Sequence, residues 1–364
     1  MDDMLTAAES LDDRQAARRA IDCDVHPAVP SVEVLLPYLS AYWREQIRQS
    51  GFKGPIDSAY PVSAATSARP DVPAAHSGSA AEQLSAMRAQ VLDPWQIVCG
   101  ILNCTYAIDS LHNPDAAAAL ASAVNDWLAA EWLDREPRLR ASLVVPSQYP
   151  QLAAREIARL GDHPGFVQVL LPARSAAPYG NRRFHPLFAA ALRHDLVVGI
   201  HFGGAPGNPP TPVGWPSFYL EEYAGMASVF QSQMLSLVSE GVFEKFPALR
   251  VVLIESGCTW LPSLMWRFDK EWKGLRREVP WVRRLPSDYI RQHVRLTLQS
   301  FDAPPHANHL LRLVDRLGSE EMLLFATDYP HWHGDTPEPV LPDMPTEGLA
   351  RKIMYGNACA LYRL

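Results

Sequence analysis

Short apolar runs recur along the chain, and between them lie stretches whose apolar positions repeat with the period of an α-helix. A short apolar run that is bounded by turn residues and followed by such a stretch is typical of a strand buried in a parallel sheet. The pattern predicts eight strands, at residues 20–26, 97–103, 141–145, 165–171, 196–201, 250–255, 294–299 and 322–327.

The stretches between these strands predict helices at residues 32–50, 114–133, 149–160, 186–194, 222–240, 261–272 and 308–317. Eight consecutive β/α units are expected to close into an α/β fold of the (β/α)₈ TIM-barrel type, here a single domain over residues 20–364. An open, doubly wound sheet is the alternative, although no Gly-x-Gly-x-x-Gly follows the first predicted strand. Residues 1–19 are polar and Ala-rich, and we expect an N-terminal arm.

A long insertion follows the first strand and helix. Residues 51–80 are rich in Pro, Gly, Ser and Ala, which predicts a loop. A loop of this length inside a compact domain is usually a lid or an active-site loop. We therefore name Arg69 and His76 as candidate substrate-binding residues. The alternative is an insertion without a function.

Composition and charge limit the function. Of the 364 residues 48% are hydrophobic and 20% charged, with a net charge of −7, which argues against a nucleic-acid partner. The five cysteines are scattered without Cys-x-x-Cys spacing, which indicates neither a disulfide framework nor a thiolate zinc site. There is no signal-peptide pattern and no apolar run long enough for a membrane span. We expect a cytoplasmic protein without a membrane partner.

Ionisable residues stand at the carboxyl ends of several predicted strands, where TIM barrels place their catalytic groups. Burying several carboxylates together without a cation would be costly, and a divalent metal removes that conflict. Carboxylates and imidazoles are ligands for zinc, manganese or iron, so we predict one or two metal ions. The candidate ligands are Asp24 and His26 on strand one, His201 on strand five, Glu255 on strand six and Asp328 on strand eight.

These residues, together with two further motifs, resemble the amidohydrolase-related branch of the amidohydrolase superfamily. The motifs are the run around Asp328 at residues 325–331 and the terminal run at residues 352–362. The resemblance covers residues 20–364. That branch contains metal-dependent hydrolases and decarboxylases similar to aminocarboxymuconate-semialdehyde decarboxylase. The resemblance implies a TIM barrel whose metal is held by Asp24, His26, His201 and Asp328, and, since members often form dimers, a homodimer.

The chain departs from the pattern of that branch in two places. Many members carry His-x-His on strand one, where this chain has Asp24 and His26; a carboxylate there also occurs in the branch. The decarboxylases usually have a histidine at the end of strand six and a glutamate three residues later. Here Glu255 replaces that histidine and Cys258 stands in place of the glutamate. The second departure weakens the likeness to the decarboxylases.

The leading hypothesis is therefore a metal-dependent hydrolase that cleaves an acyl bond of a small molecule. A metal-bound water has its pKa lowered to roughly 7. Asp328 is predicted to orient or deprotonate that water, and His331 to donate a proton or bind substrate. Glu255 is predicted either to bind metal or to act as an acid or base.

Two alternatives remain open. One is a non-oxidative decarboxylase of an aromatic or unsaturated acid, and the other is a non-catalytic barrel that binds a small ligand. Aromatic residues near the predicted mouth favour an apolar or ring-bearing substrate, with Trp260 and Tyr329 as candidate substrate-binding residues.

Overall fold

Eight parallel strands, β1 to β8, pair in chain order in the computed structural model. Each is short and almost wholly buried, as the apolar runs predicted. The structure describes residues 19–56, 61, 77–204, 210–299, 307–331 and 346–364. The strands are Ala20–Val25, Ile97–Leu102, Leu139–Val144, Phe166–Pro172, Val197–His201, Val251–Ile254, Val294–Thr297 and Leu323–Leu324.

The backbone after β8 closes the sheet against β1. The amide of Cys23 donates to the carbonyl of Phe325 at 3.0 Å, and the amide of Asp328 donates to the carbonyl of Asp24 at 3.0 Å. The amide of His26 donates to the carbonyl of Tyr329 at 2.7 Å. The predicted TIM barrel is therefore confirmed, and the seam between its first and last strands runs through three of the predicted metal ligands.

Helices cover the outside of the barrel. In the described part of the chain the α-helices α1 to α13 are Ala41–Ser50, Ala80–Met87, Pro114–Leu128, Pro150–Leu160, His185–Arg193, Tyr219–Gly225, Ala227–Ser239, Val242–Lys245, Leu261–Leu275, Pro286–His293, Ala307–Leu317, Glu347–Arg351 and Asn357–Tyr362. Short 3₁₀ turns lie at Val32–Tyr38, Ile108–Ser110 and Arg182–Phe184, and wider π turns lie at Arg88–Leu92, Ala129–Leu133 and Lys352–Gly356.

The prediction of one continuous helix over residues 32–50 is wrong. The segment is divided into the 3₁₀ turn Val32–Tyr38, which contains Pro37, and the α-helix α1. Proline lacks the amide hydrogen that a longer helix needs, and the side chain of Ser40 caps α1 by accepting from the amide of Trp43.

The helix α2 was not predicted. Its first residue, Ala80, closes the predicted insertion, and the side chains of Ser79 and Glu82 form a capping box there. The predicted arm at residues 1–19 and the insertion at residues 51–80 lie mostly outside the described residues. Arg69 and His76 lie outside them too.

Two hydrophobic clusters hold the fold together. The larger joins the strands to the surrounding helices. The smaller joins residues of six strands to Leu361 and Tyr362 of α13, and it therefore fills the inside of the barrel. The carbonyl of Leu361 accepts from Arg250, just before β6, so α13 covers the amino-terminal end of the barrel, which we call the bottom. The opposite end is the mouth.

The simple alternation of side chains fails near the end of β1. Cys23 belongs to the inner cluster and Val25 to the outer one, although the two should share a face in a regular strand. The pairing of β1 with β2 shifts register between Asp22 and Val25, and the carboxylate of Asp22 accepts from the amide of Asp24 at 3.1 Å. A local bulge thus sets the direction of Asp24.

Among the described residues, no helix is both long enough and apolar enough to cross a membrane.

Candidate metal centre

The five predicted ligands meet at the mouth, and all are buried. His26 Nε2 lies 3.1 Å from Asp24 Oδ1 and 2.8 Å from Asp328 Oδ1. His201 Nε2 lies 3.6 Å from Asp24 Oδ1 and 3.7 Å from Glu255 Oε2. None of the five is more than 6% exposed. The structure thus brings together the five residues chosen from the strand ends, and their individual roles stay predictions.

Backbone carbonyls fix both imidazoles. Nδ1 of His26 lies 2.8 Å from the carbonyl oxygen of Asn103, and Nδ1 of His201 lies 2.7 Å from that of Phe202. Because a carbonyl can only accept, each Nδ1 carries a hydrogen, which leaves each Nε2 as the ring nitrogen that can bind a metal once it is deprotonated. A carbonyl behind each ring is the usual support of a metal-binding histidine.

The donor set suits a divalent cation. Among the described residues, Asp24 Oδ2, His26 Nε2 and His201 Nε2 are buried and have no hydrogen-bond partner. One donor atom from each of these residues can be chosen so that all lie within 4.8 Å of one another. A second group of the same kind consists of His26, Asp328 and His331. One carboxylate and two neutral imidazoles match zinc, manganese or iron(II), as predicted.

The pKa shifts of the site residues also favour a bound cation. Burial alone would raise the pKa of Asp24, but the imidazoles of His26 and His201 hold it well below its usual range. Burial would lower the pKa of His26, yet the charges of Asp24 and Asp328 raise it well above its usual range. The carboxylates thus demand a positive charge beside them, which a proton or a metal ion can supply.

Glu255 stands beside the first donor group. Its Oε1 accepts from the hydroxyl of Tyr223 at 2.5 Å, and its amide donates to the hydroxyl oxygen of Thr297 at 2.9 Å. Burial, followed by the charge of Asp328, raises the pKa of Glu255 to about 7. Its role as metal ligand or as acid or base stays a prediction.

The backbone is strained where two of the carboxylates are presented. Glu255 has φ +59° and Asp328 has φ +57°, both in the left-handed region that such residues rarely occupy. The residue before Asp328 is held by Asp22, whose carboxylate accepts from the amide of Thr327 at 3.0 Å and from its hydroxyl at 2.6 Å. Asp22 therefore fixes the approach of Asp328 to the mouth.

His331 connects the buried site to its surroundings. Its Nδ1 lies 2.8 Å from Asp328 Oδ1, and its side chain is 28% exposed. Its ring centroid lies 4.6 Å from that of His26. His331 thus joins Asp328 to a partly exposed position, and its role as proton donor or substrate-binding residue stays a prediction.

The two described candidates for substrate binding, Trp260 and Tyr329, differ in how deeply they are buried. Trp260 is half-buried, and its indole nitrogen donates to the carbonyl of Ser256 at 2.8 Å. Tyr329 is 3% exposed and packs in the larger cluster. Cys258, which stands where the branch has a glutamate, is fully buried in the same cluster. The substrate roles of Trp260 and Tyr329 stay predictions.

Two cavities lie on the mouth side. The smaller, about 50 Å³, is lined by His201, Phe202 and the loop after β2. The larger, about 650 Å³, is lined by the loops after β2 to β5 and by α7. Asp109 lines both. The larger cavity is within the usual range for a small-molecule site.

Sequence reasoning missed Asn103 and Tyr223. Asn103 ends the predicted second strand, so the rule that found the candidate ligands would have found it too. Its NH₂ group donates to Asp24 Oδ1 at 2.8 Å. Tyr223 reaches the site from α6, and no strand-end rule points to a residue on such a helix.

Comparisons with known proteins agree with the geometry. The family model for amidohydrolases matches residues 21–364. Gamma-resorcylate decarboxylase of Polaromonas sp. (strain JS666) is 27% identical over 295 residues, which cover 76% of this chain and 86% of that protein. The enzyme of the same name from Rhodococcus jostii (strain RHA1) is 27% identical over 268 residues, 67% of this chain and 76% of the relative.

Solved structures show the same fold. A 5-carboxyvanillate decarboxylase from Novosphingobium aromaticivorans, complexed with manganese, superposes with a TM-score of 0.66 at 20% identity, over 95% of this chain and 96% of that one. A 2,6-dihydroxybenzoate decarboxylase from Rhizobium gives a TM-score of 0.64 at 20% identity, over 94% of this chain and 98% of that one.

Proposed function

The chain belongs to the amidohydrolase family, and from that premise we propose that it is a metal-dependent enzyme that removes carbon dioxide, without oxidation, from a hydroxylated aromatic acid. One observation carries the proposal. Three buried donor atoms, on Asp24, His26 and His201, lack hydrogen-bond partners among the described residues and converge at the mouth. They do so in a chain whose curated relatives decarboxylate such acids.

The sequence favoured hydrolysis and kept decarboxylation as its alternative. The relatives give the alternative better support, since they match over 76% and 67% of this chain. The departure at strand six weighed against it because Glu255 and Cys258 replace the residues usual in that branch. Glu255 nevertheless provides an ionisable group beside His201, with Oε2 at 3.7 Å from Nε2.

A divalent cation held by Asp24, His26 and His201, with Asp328 next to them, would supply positive charge that binds substrate oxygens and offsets negative charge during the reaction. The chain's own residues shape the rest of the site. Asp24 is ionised, and each imidazole presents Nε2 because a carbonyl holds its Nδ1 hydrogen.

The reaction needs one proton at the ring carbon that bears the carboxylate. Asp328 is the group proposed to deliver it, and His331, at 2.8 Å and partly exposed, returns a proton to Asp328 from solvent. Once that carbon is protonated, its bond to the carboxylate breaks. The bonding electrons return to the ring, carbon dioxide leaves, and the proton replaces it.

Glu255 adds an ionisable group to the place where an anionic substrate would bind. Burial, followed by the charge of Asp328, raises its pKa to about 7, so it is protonated more readily than an exposed glutamate. A neutral Glu255 repels the substrate carboxylate less than an ionised one does. Its hydrogen bond from Tyr223 holds it in place.

Acyl-bond hydrolysis is the second candidate, and the glutamate at the end of β6 favours it. In that reaction Asp328 would accept a proton from water, the reverse of its role in decarboxylation. The two candidates therefore share a site and differ in the direction of one proton transfer.

One assay separates them. Manganese-loaded protein is incubated with γ-resorcylate, with 5-carboxyvanillate and with a panel of aryl esters, lactones and amides, and carbon dioxide and acyl cleavage are both measured. We expect carbon dioxide in proportion to the acid consumed, released at least roughly 100-fold more slowly by Asp328→Asn. Acyl cleavage without carbon dioxide would establish hydrolysis instead. Binding without turnover of any compound would support the non-catalytic barrel.

A further inference from the structure

A continuous chain of hydrogen bonds crosses the inside of the barrel from the bottom to the metal centre. The hydroxyl of Tyr362, in α13, donates to Gln168 Oε1 at 2.8 Å, and Gln168 Nε2 donates to Ser142 Oγ at 2.8 Å. Ser142 Oγ donates to Asn103 Oδ1 at 2.6 Å. Asn103 Nδ2 donates to Asp24 Oδ1 at 2.8 Å. All five side chains are at most 6% exposed.

The direction of this chain is fixed at its Asp24 end. A carboxylate only accepts, so Asn103 must turn its NH₂ group toward Asp24. The oxygen of Asn103 then accepts from Ser142. Ser142 in turn accepts from Gln168, which leaves the Gln168 oxygen for the hydroxyl of Tyr362. Flipping the Asn103 amide would set an oxygen against the Asp24 carboxylate, which is unfavourable in a buried site.

The backbone makes room for this arrangement. Gly199 on β5 faces the Gln168 side chain, and a Cβ at that position would come within 2.6 Å of the Gln168 amide. Any larger residue at 199 would displace Gln168 from its place between Tyr362 and Ser142. The chain of hydrogen bonds therefore requires a glycine at position 199.

Asn103 contacts two ligands at once. Its side chain occupies Asp24 Oδ1, while its carbonyl oxygen holds Nδ1 of His26. Asp24 Oδ2 is the carboxylate oxygen that has no hydrogen-bond partner among the described residues. Asn103 thus holds Asp24 through its side chain and His26 through its backbone carbonyl.

We propose that Asn103 is the positioning residue of the metal centre and that Tyr362, at the far end of the chain, keeps Asn103 in its working orientation. Asp24 is thereby held in place as a metal ligand. The bottom helix of the barrel thereby sets the affinity of a site at the mouth. This inference concerns metal binding and does not depend on which reaction the site performs.

The test is the dissociation constant of Mn²⁺ for the metal-free chain, residues 1–364, measured by calorimetric titration. Asn103→Ala keeps the carbonyl that holds His26 and removes only the side-chain donor. We expect a loss of affinity of roughly 10- to 100-fold, as for other partners of metal ligands. Tyr362→Phe removes one hydroxyl, and we expect a smaller loss of about fivefold.

The double variant distinguishes transmission through Asn103 from a separate effect. If Tyr362 acts through Asn103, then Tyr362→Phe will not change the dissociation constant when Asn103→Ala is already present. An equal effect in both backgrounds would overturn the role given to Tyr362. If Asn103→Ala fails to fold, Tyr362→Phe decides alone, and an unchanged dissociation constant overturns the proposal.

Asn125→Ala is the matched control. Asn125 is also a fully buried asparagine that bonds to β3, through the amide and carbonyl of Val144, but its side chain contacts Glu156 and none of the metal donors. We expect its unfolding midpoint to fall and its Mn²⁺ affinity to stay within about twofold of the unmodified protein. A loss equal to that of Asn103→Ala would show that the effect is general destabilisation, and the proposal would fail.

Discussion

The two ends of the barrel both carry clustered carboxylates, but they balance them differently. At the bottom, Glu136 accepts from Arg88 at 2.6 Å and from Arg138 at 2.8 Å, and Asp195 pairs with Arg250 at 2.7 Å. At the mouth, Asp24 and Asp328 face the imidazole of His26. Guanidinium stays charged at any working pH, whereas imidazole can lose its proton and offer a lone pair.

This difference separates structural charge from functional charge. The carboxylates at the bottom are neutralised by arginine side chains of the same chain, so they need no ion from solution. The mouth is neutralised only when a proton or a cation is bound. We conclude that the charged residues at the mouth bind a metal ion and that those at the bottom stabilise the fold. In TIM barrels generally, the carboxyl ends of the strands carry the active site and the amino ends contribute to stability.

The largest effect should follow from Asp328→Asn at the mouth. Asparagine keeps an oxygen in place but cannot carry a proton, so we expect kcat to fall roughly 10²- to 10⁴-fold. Metal content should persist, since Asp24, His26 and His201 remain. Steady-state kinetics with elemental analysis checks both. Unchanged kcat would remove Asp328 from the mechanism.

Metal binding should stabilise the mouth strongly. A cation at about 100 times its dissociation constant adds about 2.7 kcal/mol to the free energy of unfolding. Urea unfolding with and without Mn²⁺ measures this gain. His201→Ala should lose it, because one donor is gone, while Glu136→Gln at the bottom should keep it in full. A gain that survived in His201→Ala would place the ion elsewhere.

Tyr223→Phe should have a moderate effect. The hydroxyl of Tyr223 donates to Glu255 and so favours the ionised carboxylate. Losing a hydrogen bond to a charged group is worth about 1.5 kcal/mol, so we expect kcat/KM to change by about tenfold. The limb of the pH profile that Glu255 controls should move to higher pH. Profiles of both proteins, measured at the same metal saturation, test this shift.

Glu136→Gln should have the smallest effect and spare activity. Hydrogen bonds from Arg138 and then Arg88 outweigh burial and lower the pKa of Glu136 to about 2. A lowered carboxyl pKa stabilises the folded state above the unfolded pKa, near 4.5, and that contribution is lost as pH falls toward 2. We expect a loss of about 1 kcal/mol at pH 7 that shrinks between pH 4.5 and 2.

Urea unfolding at several pH values measures that loss. A loss of the same size at pH 3 and at pH 7 would contradict the ion-pair account of the bottom. A fall in kcat for Glu136→Gln would break the separation between the two ends.

The sequence predicted the barrel because its apolar runs are short, regularly spaced and bounded by polar strand ends. It located Asp24, His26, His201, Glu255 and Asp328 for the same reason. It could not predict the bulge beside Asp22, whose carboxylate accepts hydrogen bonds from Asp24 and from Thr327, a residue distant in sequence. Pro37 did signal the broken first helix, and Ser79 and Glu82 signalled the helix that was missed.

The support of the site was harder to predict than its ligands. Asn103, Ser142 and Gln168 come from three strands, and only the closed barrel brings them together. Tyr362 comes from the last helix. These hydrogen bonds join residues of different strands, so the apolar pattern of each single strand does not predict them.

The most direct measurement is the metal content of the protein purified without chelator and without added metal, with His201→Ala and Glu136→Gln prepared in parallel. We predict about one divalent ion per chain in the unmodified protein and in Glu136→Gln, and a clear loss in His201→Ala. A metal-free protein that also takes up no Mn²⁺ in titration would contradict the account, as would a His201→Ala variant that binds metal as well as the unmodified chain.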